Sequence, residues 1–306
     1  MSNATSHTTH VERVHFASSG VELAGNLHLP TAAAPVPAVV VTGTWTSVKE
    51  QMADRYAAAL AARGYAALSF DFTGFGDSAG EPRDYESPTL KVRDIYNAVT
   101  FLSCRPDVDQ ERLAALGVCA SAGYTSVNTV GDARIKALAL VAPWLHNADI
   151  VEDIYDGADG VARRLEAGRA ARVLFDRTRE LQYVPAVAGD DPNAAMPWNI
   201  DFYLNPERGG IAKWPNRFAV MSWIDWLTFD PIGVARRVEV PTVMVHSEDA
   251  AIPQGAHAFF DQVPASKQEH WLSGDQFDFY DGESHVTQAT DLVANFFNSQ
   301  LGTTTP

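Results

Sequence analysis

Residues Arg112–Tyr124 read RLAALGVCASAGY, a strand-like run that passes through small residues into a helix-like one. A chain that turns from strand to helix within one residue tolerates only small side chains two before and two after the turning residue. It also holds that residue in a strained backbone and pushes its side chain out as a nucleophile. Two registers satisfy this rule. Cys119 has Gly117 before it and Ser121 after it, whereas Ser121 has Cys119 before it and Gly123 after it. A strand beginning near Arg112 ends at Cys119, which favours Cys119 and leaves Ser121 as the alternative nucleophile. The competing reading of Cys119 is a buried structural thiol, since free cysteine is among the most buried residue types.

A thiol nucleophile needs a base, and the base needs an orienting acid. Thr242–Ser247 reads as a strand, and the residues after it put Asp249 in the loop at its carboxyl end, with Glu248 as the competitor one residue away. Of nine histidines, His285 is the one expected in a loop after the last strand, just before the last helix. The expected triad is therefore Cys119, Asp249 and His285. His285 takes the thiol proton and Asp249 sets the imidazole tautomer, with the helix dipole helping to depress the thiol pKa. An oxyanion is expected to rest on two backbone N–H groups. One is that of Ala120, at the start of the helix. The other comes from the loop after Gly43, with Thr44 as first choice and Trp45 as second.

Other elements must position these residues. Val11–Ser18 and Val21–Pro30 flank Ser19-Gly20 and read as a hairpin. Strands are expected over Pro35–Gly43, Tyr65–Phe72, Arg112–Cys119, Ala137–Pro143, Thr242–Ser247 and Lys267–Leu272, and helices over Lys49–Arg63, Leu90–Leu102, Ala256–Val263 and Thr287–Leu301. This alternation predicts an α/β fold with a mostly parallel sheet flanked by helices, its functional loops at the strands' carboxyl ends. Residues 145–235 interrupt it. Asp149–Arg179 looks helical, Tyr183–Trp214 loop-like and Asn216–Phe229 aromatic and helical, with no strong strand pattern. About 90 residues exceed a plain connection in a compact domain. The expected organisation is a core of residues 11–144 and 236–301 with an inserted, mainly helical cap over residues 145–235. Trp198, Phe202, Tyr203, Trp214, Trp223 and Trp226 are expected to form an apolar acyl pocket in that cap.

Composition narrows the function classes. The 306 residues are 46 % hydrophobic, with 23 Lys and Arg against 38 Asp and Glu, a formal net charge of −15. So acidic a surface repels phosphate backbones and argues against nucleic acid as a partner. Two cysteines, Cys104 and Cys119, make no disulfide framework. Met1–His10 lacks a basic segment followed by an apolar one, and no run of about 18 apolar residues occurs, so a cytoplasmic protein without a membrane partner is expected. Gly74-Phe-Gly76 lacks the third glycine of a dinucleotide fingerprint, and no zinc-type spacing occurs, so neither cofactor nor metal is expected. The sequence leaves open whether the chain forms an oligomer.

Five motifs carry a resemblance: Gly43-Thr-Trp-Thr-Ser-Val-Lys-Glu-Gln-Met52, Phe70-Asp-Phe-Thr-Gly-Phe-Gly-Asp-Ser78, Gly117-Val-Cys-Ala-Ser121, Arg208-Gly-Gly210 and Phe277-Asp-Phe-Tyr-Asp281. Over nearly its whole length the chain resembles the α/β-hydrolase superfamily. Within it, the chain resembles a bacterial and fungal group that is similar to dienelactone hydrolases at the elbow and includes polyketide transferase-like enzymes. Nucleophile, acid and base also follow in that fold's order. The chain departs from the pattern in three places. Cys119 stands where a typical esterase has serine, Ser121-Ala122 where dienelactone hydrolases have two glycines, and Thr42-Gly43 where His-Gly is usual. The resemblance implies a hydrolase of an ester, thioester or lactone with a small or medium hydrophobic acyl group, working through an acyl-enzyme. An acyltransferase using the same acyl-enzyme, and a non-catalytic binding protein, are the alternatives.

Overall fold

The computed structural model describes residues 7–33 and 35–302. Strands β1 (Thr9–Ser18) and β2 (Val21–Pro30) pair antiparallel along their whole length. Their turn is Ser19-Gly20, both at positive φ, as a two-residue hairpin turn requires. β3 (Val36–Thr42) is buried throughout, as its β-branched run implies. Helix α1 (Ala53–Ala61) starts four residues later than expected. The preceding residues are held in turns instead, because the Lys49 N–H donates to Asp71 Oδ1 (2.8 Å) and the Val48 N–H to Gln51 Oε1 (2.9 Å).

β4 (Ala66–Phe70) is followed by α2 (Pro88–Ser103), which opens on proline, a residue suited to the first helical turn. Next come β5 (Val108–Val118), α3 (Ser121–Gly131) and β6 (Ile135–Val141). The segment expected as a cap holds α4 (Ala148–Ile154), α5 (Gly157–Thr178), β7 (Tyr183–Pro185), α6 (Asp201–Leu204), β8 (Arg217–Ala219) and α7 (Ser222–Leu227), then a 3-10 turn at Ile232–Arg237. The chain ends with β9 (Thr242–His246), α8 (Pro253–Gln262), β10 (Lys267–Trp271), α9 (Asp278–Asp281) and α10 (Glu283–Leu301).

Two expectations in the inserted segment need correction. β7 and β8 pair antiparallel, although no strand was expected there. At three residues each, neither strand is long enough to show a period of two. Asn216–Phe229 is not one helix, because Asn216 sits at positive φ and β8 precedes the short α7.

The main sheet runs β1-β2-β4-β3-β5-β6-β9-β10, with its last six strands, from β4 onward in that order, parallel and helices on both faces. The chain leaves β3 toward β4 on one side and returns to β5 on the other. β3 and β5 therefore flank the point where strand order reverses, the crevice where open α/β sheets place ligands. The Thr44–Ser47 loop follows one of these strands and Cys119 the other. Among the described residues, no helix is long and apolar enough to cross a membrane.

β5 must hand over to α3 within two residues, and the close fit falls on Gly117. A β-carbon there would lie 2.6 Å from the Ser121 carbonyl oxygen and 2.7 Å from Ala122 Cα. Both are backbone atoms of the following helix, so the clash has no flexible neighbour to absorb it. Gly117→Ala should cost about 1–3 kcal/mol, the usual range for overpacking, read as a lower urea midpoint with unchanged slope. An unchanged midpoint would show that the turn is looser than this geometry.

Candidate active site

Cys119 follows β5 directly and has φ +55°, a left-handed conformation that a cysteine adopts only where its surroundings impose it. Its N–H donates to the Val141 carbonyl (3.1 Å), and its carbonyl accepts from the Ala122 and Trp144 N–H groups (3.0 Å each). The elbow residue is thus Cys119. Ser121 lies in the first turn of α3, buried, and its hydroxyl has no partner among the described residues.

The Tyr280 hydroxyl, the Gln276 side chain and the backbone N–H groups of Ala120 and Trp45 lie close enough to the Cys119 sulfur to favour its thiolate. Ala120 and Trp45 are two of the three residues expected to supply an oxyanion hole. Thr44 turns its hydroxyl away to the Tyr203 hydroxyl (2.7 Å), and its carbonyl accepts from Ser47 Oγ (2.9 Å). Cys119 is only 6 % exposed. Burial pushes its thiol up to about 11, although all four neighbours favour the thiolate and pull the other way. The expected depressed thiol pKa is corrected accordingly. The helix N-terminus is present, but the imidazolium that would have held a thiolate is not at the sulfur.

The structure does not bring His285 to Cys119. α10 begins at Glu283, so His285 is in its first turn instead of a loop. Its half-buried ring packs edge-on to Phe279 (centroids 5.6 Å apart), with Nε2–H donating to the Ser273 carbonyl (3.0 Å) over Gly274. Asp249 does follow β9, but it is exposed, and among the described residues its carboxylate accepts no hydrogen bond. Its neighbour Glu248 pairs with His257 (3.0 Å). The loop after β10 instead sends Gln276 toward the elbow. Gln276 Nε2 donates to the Ala142 carbonyl (2.8 Å) and the Tyr280 hydroxyl (3.1 Å), and Oε1 accepts from the Ala251 N–H (3.0 Å). Sequence reasoning missed both residues. The Phe277–Asp281 motif did contain Tyr280, without assigning it a role.

The aromatic residues of the inserted segment divide into three groups. Trp198 is 46 % exposed and does not line the elbow. Phe202, Tyr203, Trp214, Trp223 and Trp226 are buried. Tyr203 and Phe202 both pack on Tyr280, with ring centroids 6.4 and 5.1 Å away. The others grip the loop after β3. Trp214 Nε1 donates to the Thr46 carbonyl (2.8 Å), while Trp223, Trp226 and Phe218 surround the Trp45 ring.

A buried ion pair fixes that same loop from below. Glu86 Oε2 accepts the Thr46 N–H (2.9 Å), and Glu86 Oε1 accepts the Tyr124 hydroxyl (2.7 Å). Lys91 reaches Glu86 Oε1 at 2.6 Å, with its ammonium 4.7 Å from the ring centres of Phe72 and Phe75. Burial pulls the Lys91 ammonium pKa down, and Glu86 opposes that shift. The resemblance motifs also join one another. Lys49 pairs with Asp71 (2.7 Å), Gln51 donates to the Gly209 carbonyl (2.7 Å), and Arg208 binds Asp281 with two 2.7 Å bonds.

A parallel sheet with a strained thiol elbow and two N–H groups at its sulfur defines an enzyme of the α/β-hydrolase fold. The solved α/β hydrolase GrgF from Penicillium sp. sh18 superposes with a TM-score of 0.81 at 22 % identity, covering 96 % of this chain and all of that one. The chain belongs to the FrsA-like esterase family, which it matches over residues 2–156. It is 28 % identical over 255 residues to polyketide transferase af380 of Aspergillus fumigatus, covering 82 % of each chain. It is also 28 % identical over 299 residues to the thiohydrolase aneE of Aspergillus aculeatus, covering 93 % of this chain and 89 % of that one. The protein is thus a hydrolase or acyltransferase built on this fold.

Two outcomes follow from the burial and the pairing. At pH 7 iodoacetamide should alkylate exposed Cys104 before Cys119, and the Cys119 rate should climb with pH toward about 11, where its thiol ionises. Faster reaction at Cys119 near neutrality would contradict the raised pKa. Lys91→Met leaves Glu86 charged and unpaired, so it should lower unfolding free energy by about 3–5 kcal/mol. Adding Glu86→Gln should recover part of that loss, and a purely additive double variant would rule out the coupling.

Proposed function

We propose that Cys119 is the nucleophile of an acyl-transfer reaction on thioesters of a hydrophobic acyl group. The observation that carries this reading is the positive-φ elbow with the Ala120 and Trp45 N–H groups at its sulfur. When that sulfur bonds an acyl carbon, the acyl oxygen lies within reach of the same two donors, which can then hold it as an oxyanion.

Thioesters suit this site better than oxygen esters. A leaving thiolate belongs to a thiol of pKa about 8.5, so it departs without the strong acid that an alkoxide needs. In the first step Cys119 Sγ bonds the acyl carbon and the carbon–sulfur bond to the leaving thiol breaks. The Cys119 proton passes through the Tyr280 hydroxyl, which gives up its own proton to the departing sulfur as it accepts this one. Burial raises the Tyr280 pKa well above its usual value, so the hydroxyl stays neutral and serves as a relay, not as a base. The names of the two relatives, a thiohydrolase and a polyketide transferase, are compatible with this substrate class. Residues 145–235 act as a cap in this reading, with Tyr203 and Phe202 bordering the acyl group and Trp214 and Trp223 setting the loop that bears the Trp45 N–H.

A medium-chain acyl thioester and the matching oxygen ester test the reading. The thioester should turn over faster, and Cys119→Ala should lower kcat by roughly three orders of magnitude or more, the scale of losing a nucleophile. Ser121→Ala and Trp198→Ala should be close to silent, while Phe202→Ala and Trp214→Ala should alter acyl-length preference. Oxygen-ester preference, or activity that survives Cys119→Ala and dies with Ser121→Ala, would overturn the assignment.

A further inference from the structure

In this fold the loop after the last strand carries the general base, with one ring nitrogen at the nucleophile and the other toward the acid. Here that loop runs from Leu272 to Phe277, and Gln276 is the residue it brings to the Cys119 sulfur. The glutamine spans the same gap. Its Nε2 side faces Tyr280 and the elbow, and its Oε1 takes the Ala251 N–H, two residues from Asp249. A carboxamide offers hydrogen bonds but takes up no proton at working pH. Among the described residues no other imidazole replaces it. His285 faces Ser273. His146 has both nitrogens engaged, accepting from Trp144 Nε1 at Nδ1 (3.1 Å) and donating from Nε2 to the Trp226 carbonyl (3.2 Å). His246 ends β9, separated from β5 and its elbow by β6, and packs on the Trp271 ring with centroids 5.4 Å apart, its two buried ring nitrogens without a partner among the described residues.

We propose that Gln276 holds the place of the general base, and that the enzyme therefore passes its acyl group to a thiol acceptor instead of to water. The inference rests on the acyl-enzyme reading above and decides what resolves that intermediate. Water must lose a proton as it attacks; the neutral Tyr280 relay can hand that proton on only as the Cys119 sulfur departs, and among the described residues no base at the sulfur draws it off to make water a competent nucleophile. A thiol reaches its own thiolate in solution and needs no such help. In the second step the acceptor sulfur bonds the acyl carbon and the Cys119 carbon–sulfur bond breaks. The acceptor's proton ends on Cys119, directly or through Tyr280, so the site returns to its neutral thiol. Donor and acceptor are then both thiol carriers, and the acyl group moves between them with little change in bond energy. Gln276 is a positioning residue in this scheme, holding Tyr280 at the sulfur. Asp249 is left as an acid without a base to orient.

Intact-mass spectrometry tests this with hexanoyl N-acetylcysteamine thioester as donor and cysteamine as acceptor. The native enzyme should accumulate a hexanoyl adduct on Cys119 in buffer and lose it on addition of cysteamine. Gln276→His should shorten the adduct's lifetime in buffer by roughly a hundredfold, the lower end of what a positioned base supplies. It should also shift the pH profile of Cys119 alkylation toward neutrality, a readout that a merely structural role would not move. Asp249→Asn should restore the long-lived adduct in the Gln276→His background and leave the native enzyme's adduct unchanged. An adduct on native enzyme that water clears as fast as cysteamine does overturns the thiol-acceptor inference and leaves the acyl-enzyme standing. No adduct at all on native enzyme overturns both. The native-enzyme chase decides these outcomes even if Gln276→His fails to fold.

Discussion

The backbone at Cys119 sets the terms for everything around it. β5 ends at Val118 and α3 begins at Ser121, so one residue must absorb the change of direction, and it does so at φ +55°. Such a conformation costs on the order of 1–3 kcal/mol and survives only where neighbours over-determine it. The Val141, Ala122 and Trp144 backbone contacts do that, and Gly117 lets the start of α3 lie against the end of β5. The strain aims the sulfur at the crevice between β3 and β5 and leaves the first N–H groups of α3 unpaired by side chains. The proposed nucleophile and the first proposed oxyanion donor therefore come from one local event in the chain.

The second proposed donor needs a different kind of support. The Trp45 N–H sits in a loop with no regular structure, followed by Thr46 at φ +56°. Buried Glu86 ties the loop down through the Thr46 N–H, and Lys91 neutralises Glu86 inside a box of aromatic rings. From above, Trp214 Nε1 donates to the Thr46 carbonyl, so both backbone polar groups of that residue are engaged. A buried ion pair is weak evidence for stability. Here it has a geometric role, since an apolar replacement could fill the space but could not accept the Thr46 N–H.

Much of this was legible in the residues. β-branched runs and glycines marked β3, β5 and the elbow, because local sterics decide those features. The lack of an imidazole at the sulfur was not legible. His285 had the right residue type and the right place along the chain, but one turn of helix starting at Glu283 decides where its ring points, and helix starts are poorly marked without a capping side chain. Gln276 escaped notice because glutamine does not announce acid–base chemistry, and its importance lies in which loop delivers it. That the Thr44 hydroxyl bonds the Tyr203 hydroxyl, 159 residues away along the chain, also lay beyond sequence, since only tertiary packing brings the two together.

A neutral thiol at the elbow is consistent with acyl transfer once the whole reaction coordinate is considered. A thiolate poised in the resting site would have to be stabilised before any substrate arrives, and burial at Cys119 makes that costly. With the proton retained, charge appears only as the sulfur bonds an acyl carbon, and it appears on the acyl oxygen, which the Ala120 and Trp45 N–H groups can reach. Stabilisation that acts on the transition state and not on the resting enzyme lowers the barrier without deepening the ground state. A histidine would add a means of activating water, which a hydrolase needs and a carrier of acyl groups between thiols does not. On the proposed reading, replacing that histidine by an amide that keeps the hydrogen bonds but refuses the proton removes hydrolysis selectively. The strained elbow, the two backbone donors and the Tyr280 hydroxyl, which transfer between thiols does require, remain in place.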